Sequence, residues 1–148
     1  MIEYKLLEPT QENAETLEYL RLKSYGIEPT KEDYDKYYID NVLNGSFLAF
    51  ICTLDNIPIS GCYISNAFNS IYIEYIFVLP EYQESGLRIG RKLLQYILDN
   101  KKIVEDYYHT TFKTSKLYAP QPKSQEIYKK MGYKKQPGTI ELLYKKLQ

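Results

Sequence analysis

The sequence predicts a mixed α+β fold in which a central, mostly antiparallel sheet is flanked by helices. Two apolar runs separated by a short turn, typical of a β-hairpin, precede a third run rich in Ile, Tyr, Phe and Val. Segments with apolar residues at helical spacing lie before and after these runs. Because the 148 residues suffice for one core, we expect a single domain spanning residues 1–148.

The first half of the chain predicts a strand, two helices and a hairpin. Thr10 and Thr30 are residues that cap helix N-termini, whereas Gly26 and Gly45 are typical of the residue that follows a helix. The turn residues 55–58 separate two apolar runs. The expected elements are a strand at Ile2–Leu7, helices at Thr10–Tyr25 and Thr30–Asn44, and hairpin strands at Ser46–Leu54 and Ser60–Asn66.

The second half begins with a strand, a glycine-containing loop and an amphipathic helix. Ile89, Leu93 and Ile97 recur every fourth residue and define the apolar stripe of this helix. The polar stretch Lys101–Thr114 predicts an irregular connector. The expected elements are a strand at Ile71–Val78, a loop at Pro80–Gly90, a helix to Leu98, a strand at Ser115–Ala119, a helix at Ser124–Met131 ended by Gly132, and a closing strand at Thr139–Tyr144.

The loop between the third apolar run and its helix has the composition of an anion site. Gly86 and Gly90 let a ligand approach the backbone, and the first N–H groups of a helix have no partner within the helix. The helix dipole is positive at this end, which favours a phosphate. An ordinary strand-to-helix turn has the same spacing, so spacing alone leaves both interpretations open.

Charge and hydropathy exclude several kinds of partner. Lys plus Arg and Asp plus Glu number 19 each, so no net field favours nucleic acid or an anionic membrane, and we predict neither as a partner. The sequence has no long apolar run, and its first residues lack the pattern of a signal peptide. We therefore expect a cytoplasmic protein.

The two cysteines and the sequence as a whole give no metal-binding pattern. Cys52 and Cys62 each lie within an apolar, strand-like run, which favours buried, reduced thiols. A disulfide between neighbouring strands is the alternative. The absence of a CxxC pair and of a second ligand cluster predicts no metal site.

Two motifs resemble those of the GNAT superfamily, the acetyl-CoA-dependent N-acetyltransferases. Val78–Gly86, VLPEYQESG, resembles the family's V-x-P-x-x-R/Q-x-x-G motif, and Ile127–Tyr133, IYKKMGY, resembles its hydrophobic-Tyr-x-x-x-Gly-aromatic signature. The hairpin around Ile59–Tyr63 is also similar. The resemblance extends from about Phe47 to Tyr133. It implies a GNAT-like acyltransferase fold, acetyl-CoA as the cofactor with CoA as the product, and direct acetyl transfer to a primary amine.

The resemblance also assigns cofactor contacts, with two departures from the family pattern: a longer loop, and, more mildly, Gln121 and Ser124 where the family often has Asn and Ala. The family usually continues G-x-G or G-x-A, whereas Leu87 and Arg88 lengthen the loop before Ile89 and Gly90. Backbone amides of a longer loop can still hold a pyrophosphate, with arginine adding charge. The implied cofactor-binding residues are Ile76, Phe77, Val78, Gln83, Glu84, Ser85, Gly86, Leu87, Arg88, Ile89, Gly90, Arg91 and Gln121.

Two residues are candidates for catalysis. By resemblance, Tyr128 donates a proton to the CoA thiolate, and its alternative role is that of a core tyrosine on a short helix. Glu74 shares a strand face with Tyr72 and Ile76, so a carboxylate stands among apolar neighbours and could accept the amine proton. A salt-bridged or solvent-facing glutamate is an equally good interpretation of Glu74.

The acceptor has no signature in the sequence. Small-molecule amines, peptide N-termini and lysine side chains all fit the chemistry, and many members of the resembled family form dimers, so a homodimer is one expectation. A second function from another class is a catalytically silent acyl-CoA-binding or protein-interaction module with the same fold. Retention of Tyr128 argues against the silent module.

Overall fold

A computed structural model describes residues 1–83, 86–139 and 141–148 of the protein. Contacts between residues divide the chain into two units. The first unit contains Met1–Ile64 and Tyr75–Asn100, and the second contains Ser65–Glu74 and Lys101–Gln148. A single domain over residues 1–148 stays a prediction.

The described elements confirm the mixed α+β class and the mostly antiparallel strand pairing. The first unit holds β1 Ile2–Leu7, α1 Gln11–Lys23, α2 Lys36–Leu43, β2 Leu48–Leu54, most of β3 Ile57–Ser65, the end of β4 Ile71–Val78, α3 Pro80–Gln83 and α4 Ile89–Asp99. The second unit holds the start of β4, α5 Lys101–Tyr108, β5 Thr114–Tyr118, α6 Pro122–Lys130, β6 Lys134–Lys135 and β7 Leu142–Lys146.

Antiparallel pairing builds the sheet of the first unit. β1 pairs with β2 so that Ile2 lies opposite Leu54, and β2 pairs with β3 as the predicted hairpin. Buried apolar side chains of α1, α2 and β2 form its core. Gly61 has no room for a side chain, because a Cβ there would lie 2.8 Å from the ring of Phe77. Glycine at position 61 of β3 therefore allows the Phe77 ring of β4 to lie directly against the β3 backbone.

The second unit combines one parallel and two antiparallel pairings among its described strands. Ile71–Ile73 of β4 run parallel to Ser115–Leu117 of β5. β5 pairs antiparallel with β7, which also pairs with β6. The buried Ser115 hydroxyl donates to the Ile71 carbonyl at 2.9 Å and lies 2.7 Å from the hydroxyl of Tyr133. These bonds give the polar groups of a buried strand their partners.

The second predicted helix, Thr30–Asn44, is wrong as one continuous element. Lys31–Asp33 form a 3₁₀ turn, the backbone is extended at Tyr34 with φ −64° and ψ 133°, and α2 begins only at Lys36. The Asp33 carboxylate accepts from the Thr30 N–H, and the Asp35 carboxylate accepts from the Tyr37 N–H. Thr30 and Asp35 are therefore two N-cap residues five positions apart, and each starts a short element in place of one long helix.

The irregular connector predicted at Lys101–Thr114 is also wrong, because Lys101–Tyr108 form helix α5. Val104 is buried, and the pairs Lys101–Glu105 and Lys102–Asp106 have the i,i+4 spacing that stabilises a helix. Among the many charged residues of this helix, Val104 is the one buried apolar residue. His109 follows the helix with φ +55°.

The boundaries of the remaining elements differ by a few residues from the predictions. Pro122, predicted to break the strand, occupies the first turn of α6, where a missing N–H has no cost. The closing strand is displaced to Leu142–Lys146 and pairs with the unpredicted β6. Within the part of the chain that the structure describes, no helix has the length and apolar character needed to cross a membrane.

Candidate active site

The end of β4 is fixed to β3 by two hydrogen bonds. The Leu79 N–H donates to the Ile59 carbonyl at 2.9 Å, and the Ser60 hydroxyl donates to the Phe77 carbonyl at 2.7 Å. Phe77 is buried, whereas Ile76 and Val78 are partly exposed. The strand therefore reaches the following loop with a defined backbone position.

Gln83 braces the start of the loop. It ends the short helix α3, and its side-chain amide donates to the Ser24 carbonyl at 2.9 Å and to the Val78 carbonyl at 2.9 Å. Both side-chain N–H groups are thus used within the protein. A cofactor contact through Gln83 stays a prediction, and the structure gives this side chain a bracing role besides.

The loop ends at two residues with left-handed backbones. Gly86 has φ +81°, a conformation that favours glycine, and Arg88 has φ +54° and stands as the N-cap of α4. The predicted loop Pro80–Gly90 is wrong at both ends, because Pro80–Gln83 form α3 and Gly90 belongs to the first turn of the helix that begins at Ile89. A Cβ at Gly90 would lie 3.2 Å from Val78 Cγ2, so glycine allows the helix to approach β4 closely.

The first turn of α4 presents backbone donors. Lys92 is the residue whose N–H bonds to the Arg88 carbonyl, at 3.0 Å, and the N–H groups before it lie at the helix N-terminus. The amides of Ile89, Gly90 and Arg91 therefore have no acceptor within the helix. With the positive end of the dipole, this turn is suited to an anion.

Two arginines flank these amides. Arg88 is exposed and Arg91 is partly exposed, and neither enters an ion pair with any residue in the ranges 1–83, 86–139 and 141–148. Leu87 beside them is also exposed. Glu84 and Ser85, which we predict to contact the cofactor, lie outside the described residues. Both Ile76–Val78 and residues 86–91 belong to the first unit, and Val78 lies close to Gly90 in the first turn of α4.

Tyr128 lies on α6 in the second unit. Its side chain is partly exposed, and its ring meets that of Tyr133 edge to face, with centroids 6.0 Å apart. The Tyr128 carbonyl accepts from the Tyr133 N–H at 3.1 Å, which closes the turn at Gly132. Gln121 is the exposed N-cap residue of the same helix. Tyr133, rather than Tyr128, is the fully buried tyrosine of this pair.

Glu74 also belongs to the second unit and is partly buried. The Ser65 hydroxyl donates to its carboxylate at 2.6 Å. No described residue forms an ion pair with Glu74, which does not support the salt-bridged interpretation. A carboxylate with one hydroxyl partner keeps lone pairs for a further proton donor.

Tyr108 near Glu74 was missed by the sequence analysis. Burial raises the pKa of Tyr108 well above its ordinary value, and the neighbouring Tyr107 and the Glu74 carboxylate raise it further. Tyr108 is therefore a neutral phenol within electrostatic reach of the candidate base. The spacing of Val104 and Tyr108 on one face of α5 was the signal that could have placed it there.

The thiols are unsuited to covalent catalysis. Cys52 and Cys62 are buried and free, as predicted. Burial raises the pKa of the Cys52 thiol to about 11, against a small opposing effect of Lys92. Burial also raises the pKa of Cys62 far above its ordinary value. Among the described residues no group of three His, Cys, Asp or Glu side chains could hold a metal ion.

We expect the native thiols to react slowly with iodoacetamide at pH 8. With a pKa of about 11, only about one Cys52 side chain in a thousand is a thiolate at that pH, so alkylation should be about two orders of magnitude slower than for a free thiol. The rate should rise as the pH approaches 11, because the reactive thiolate then becomes populated. Mass spectrometry of labelled peptides measures the rate, with urea-unfolded protein as the control. Native and unfolded protein reacting alike would contradict the burial of these thiols.

Comparison with known proteins identifies the class. The sequence model of the acetyltransferase (GNAT) domain matches residues 45–135, which is more than half of the chain. The chain therefore belongs to the GNAT acetyltransferase family, as its two motifs predicted. No curated protein sequence matches it significantly.

Solved structures of low sequence identity share the fold. The ribosomal-protein-S18-alanine N-acetyltransferase from Escherichia coli is 17% identical, with a TM-score of 0.69 over 100% of this chain and 95% of that one. The PaiA N-acetyltransferase from Thermoplasma acidophilum, solved in complex with coenzyme A, is 21% identical, with a TM-score of 0.63 over 99% of both chains. An acetyltransferase from Streptococcus agalactiae is 16% identical, with a TM-score of 0.65 over 99% and 98%.

Proposed function

We propose that this protein transfers the acetyl group of acetyl-CoA directly to a primary amine. The observation that carries the proposal is the start of α4. This helix start lies within the part of the chain that matches the family. The amides of Ile89–Arg91 have no acceptor within the helix, and Arg88 and Arg91 have no carboxylate partner among the described residues. Acetyl-CoA carries a pyrophosphate, and both backbone amides and guanidinium groups are donors that suit it.

In this proposal the lengthened loop and the first turn of α4 hold the pyrophosphate. The amides from Gly86 to Arg91, with the predicted contacts of Glu84 and Ser85, surround the phosphate oxygens. Ile76–Val78 offer backbone groups to the pantetheine arm, and Gln121 contributes from the N-cap of α6. The left-handed backbone at Arg88 supports this assignment because it turns the chain sharply just before the donors.

The proposed chemistry is a single acyl transfer. The neutral amine attacks the thioester carbonyl, the new C–N bond forms, and the C–S bond breaks as the thiolate leaves. An amide near Phe77 or Val78 stabilises the oxyanion, Glu74 takes the proton that the amine loses, directly or through water, and Tyr128 gives a proton to the thiolate. The Ser65 hydrogen bond to Glu74 supports its role by holding the carboxylate in one orientation.

The proposed acceptor is a small molecule or the amine of a peptide or protein. The similar Escherichia coli protein is named for an alanine of ribosomal protein S18, so a protein N-terminus belongs among the candidates. We further propose a cytoplasmic protein that meets acetyl-CoA and its acceptor there, with a homodimer as the assembly to be checked.

Calorimetric titration with acetyl-CoA and CoA tests the cofactor. The wild-type protein should bind both with a Kd of about 1–50 μM. Arg88→Gln and Arg91→Gln should each weaken binding about tenfold, because each removes a charge-assisted hydrogen bond to phosphate. Gly86→Trp, which strains a left-handed backbone and fills the loop, should abolish it. Lys36→Gln on α2 removes an exposed charge elsewhere in the first unit and should leave the Kd unchanged.

Two results would overturn parts of this proposal. An absence of binding at millimolar cofactor would mean that the lengthened loop does not hold the pyrophosphate, and the transferase proposal would fall. Binding without transfer to any amine would instead favour the catalytically silent acyl-CoA-binding module. Cofactor titration and an activity assay on the wild-type protein separate these outcomes, and the substitution of Tyr128, which tests the proton donor, is treated in the Discussion.

A further inference from the structure

A buried ion pair organises the first unit. Glu18 is completely buried on α1, and its carboxylate accepts from Arg21 Nε at 2.8 Å and Nη2 at 2.9 Å. It also accepts from the Tyr63 hydroxyl at 2.8 Å and from the Asp35 N–H at 2.8 Å. Burial, followed by the charge of Glu18, raises the pKa of Tyr63, so this phenol stays a donor. Glu18 therefore shares its charge among four donors.

The ion pair with Glu18 leaves some N–H donors of Arg21 without a protein acceptor. A guanidinium has five N–H bonds, and Glu18 takes one from Nε and one from Nη2. The remaining three, both from Nη1 and one from Nη2, bond to no described residue. Because no buried polar side-chain atom among the described residues lacks a partner, Nη1 lies where solvent reaches it. The Arg21 side chain is nevertheless only 9% exposed.

Aromatic rings pack against the guanidinium. The Arg21 guanidinium carbon lies 4.7 Å from the ring centroid of Tyr38 and 5.6 Å from that of Tyr75. Tyr25 meets Tyr75 edge to face at 6.5 Å and is 56% exposed. Such rings hold a guanidinium in place. The result is a mostly buried cation with a fixed orientation and an opening to solvent.

The position of this edge relates it to the proposed reaction. Tyr75 directly precedes Ile76–Val78, the strand segment that we propose for the pantetheine arm. Asp35 is joined to this network through its N–H, and its carboxylate instead accepts from the Tyr37 N–H and caps α2. No described carboxylate other than that of Glu18 pairs with Arg21. A ligand anion would therefore meet an unoccupied pair of donors.

We propose that the free edge of Arg21, whose guanidinium packs against Tyr38 and Tyr75, binds a carboxylate of the acceptor beside Tyr25, so that the substrate is an amino acid-like amine. This inference rests on the proposed acetyl transfer and adds the chemical class of its acceptor. The two outer N–H bonds of a guanidinium match the two oxygens of a carboxylate. An acceptor that lacks the carboxylate would leave these donors to water and would be bound less tightly.

The first test is binding, which does not depend on turnover. N-acetyl-β-alanine and its amide differ only in the carboxylate, and each can be titrated into the full-length protein while tyrosine ring signals are followed by NMR. We expect a Kd about tenfold or more lower for the carboxylate. Tyr25→Ala, at an exposed position, should weaken carboxylate binding without unfolding the protein. Equal affinities, or no binding of either compound at millimolar concentration, would overturn the inference.

The second test is a comparison of acceptors. kcat/KM for β-alanine should exceed that for β-alaninamide at least tenfold, after correction for the neutral fraction of each amine. Arg21→Lys keeps the charge but loses the planar edge, so it should reduce this ratio to near unity. Acetylation of both amines at equal efficiency by the wild type would refute the acceptor class and leave the transferase proposal standing.

Cofactor titration separates the remaining alternative. The Kd of CoA should be the same for the wild type and Arg21→Lys, since we assign the phosphates to the start of α4. A CoA Kd that rises about tenfold in Arg21→Lys would assign the edge to the cofactor and overturn the inference. If the wild type does not bind CoA, the transferase proposal itself is overturned. The carboxylate titration would still test whether Arg21 binds a carboxylate.

Discussion

Replacing Tyr128 with phenylalanine is expected to lower kcat for acetyl transfer about a thousandfold while the Kd of acetyl-CoA stays unchanged. The phenol supplies the proton that the leaving thiolate needs, whereas the ring alone maintains the edge-to-face contact with Tyr133. Steady-state kinetics with released CoA as the signal, together with calorimetry, measure both quantities. The effect should appear in kcat rather than in KM, because the proton is needed only as the C–S bond breaks.

Tyr133→Phe is the matched control for this experiment. It removes a hydroxyl from the same ring pair, but that hydroxyl is buried and lies 2.7 Å from Ser115 Oγ. We therefore expect a loss of about 1 kcal/mol in the free energy of unfolding and little change in kcat. A Tyr128→Phe enzyme that keeps more than about a tenth of wild-type kcat would exclude Tyr128 as the proton donor and favour its role as a packed tyrosine.

Glu18→Ala is expected to lower the free energy of unfolding by about 3–5 kcal/mol, because it leaves Arg21 as a buried cation without its carboxylate. It also removes the acceptor of the Tyr63 hydroxyl and of the Asp35 N–H. Urea denaturation followed by circular dichroism measures the change as a lower midpoint.

A double variant separates the ion pair from packing. Glu18→Leu with Arg21→Leu removes both charges, and its stability should lie well above that of Glu18→Ala, since no uncompensated charge remains. Lys102→Ala, which breaks the exposed pair with Asp106, should produce no measurable change in the midpoint. A loss below about 1 kcal/mol in Glu18→Ala would show that the network contributes little beyond hydrogen bonding.

Local patterns were sufficient to predict the fold class, the hairpin and the helix that starts near Ile89. Turn residues at 55–58 and the four-residue spacing of Ile89, Leu93 and Ile97 depend on neighbours in the sequence, so they can be recognised without tertiary contacts. Helix α5 was missed because its helical signal consists of charge pairs and one buried valine, Val104. A polar composition alone does not distinguish a surface helix from a loop.

The candidate site was predictable in part, for a similar reason. The motif at Val78–Gly86 located the loop, but the left-handed backbone at Arg88 and the packing of Gly90 on Val78 depend on three-dimensional approach. The Glu18 network joins residues up to 45 positions apart in sequence. Its only local sign was the three-residue spacing of Glu18 and Arg21, which resembles an ordinary surface pair. Burial, rather than spacing, distinguishes the two cases.

Because the hydrogen bonds of Gln83 fix the start of the lengthened loop, protein engineering can vary the length of this loop. Gln83 is tied to Ser24 and Val78 on one side, and Ile89 begins a packed helix on the other, so both ends of the five-residue segment 84–88 are anchored. Closing a loop between fixed ends becomes only slowly more costly with length, by about 0.6 kcal/mol per doubling. Segments of other lengths should therefore change how tightly the CoA pyrophosphate is held, while the sheet and the helix stay as they are.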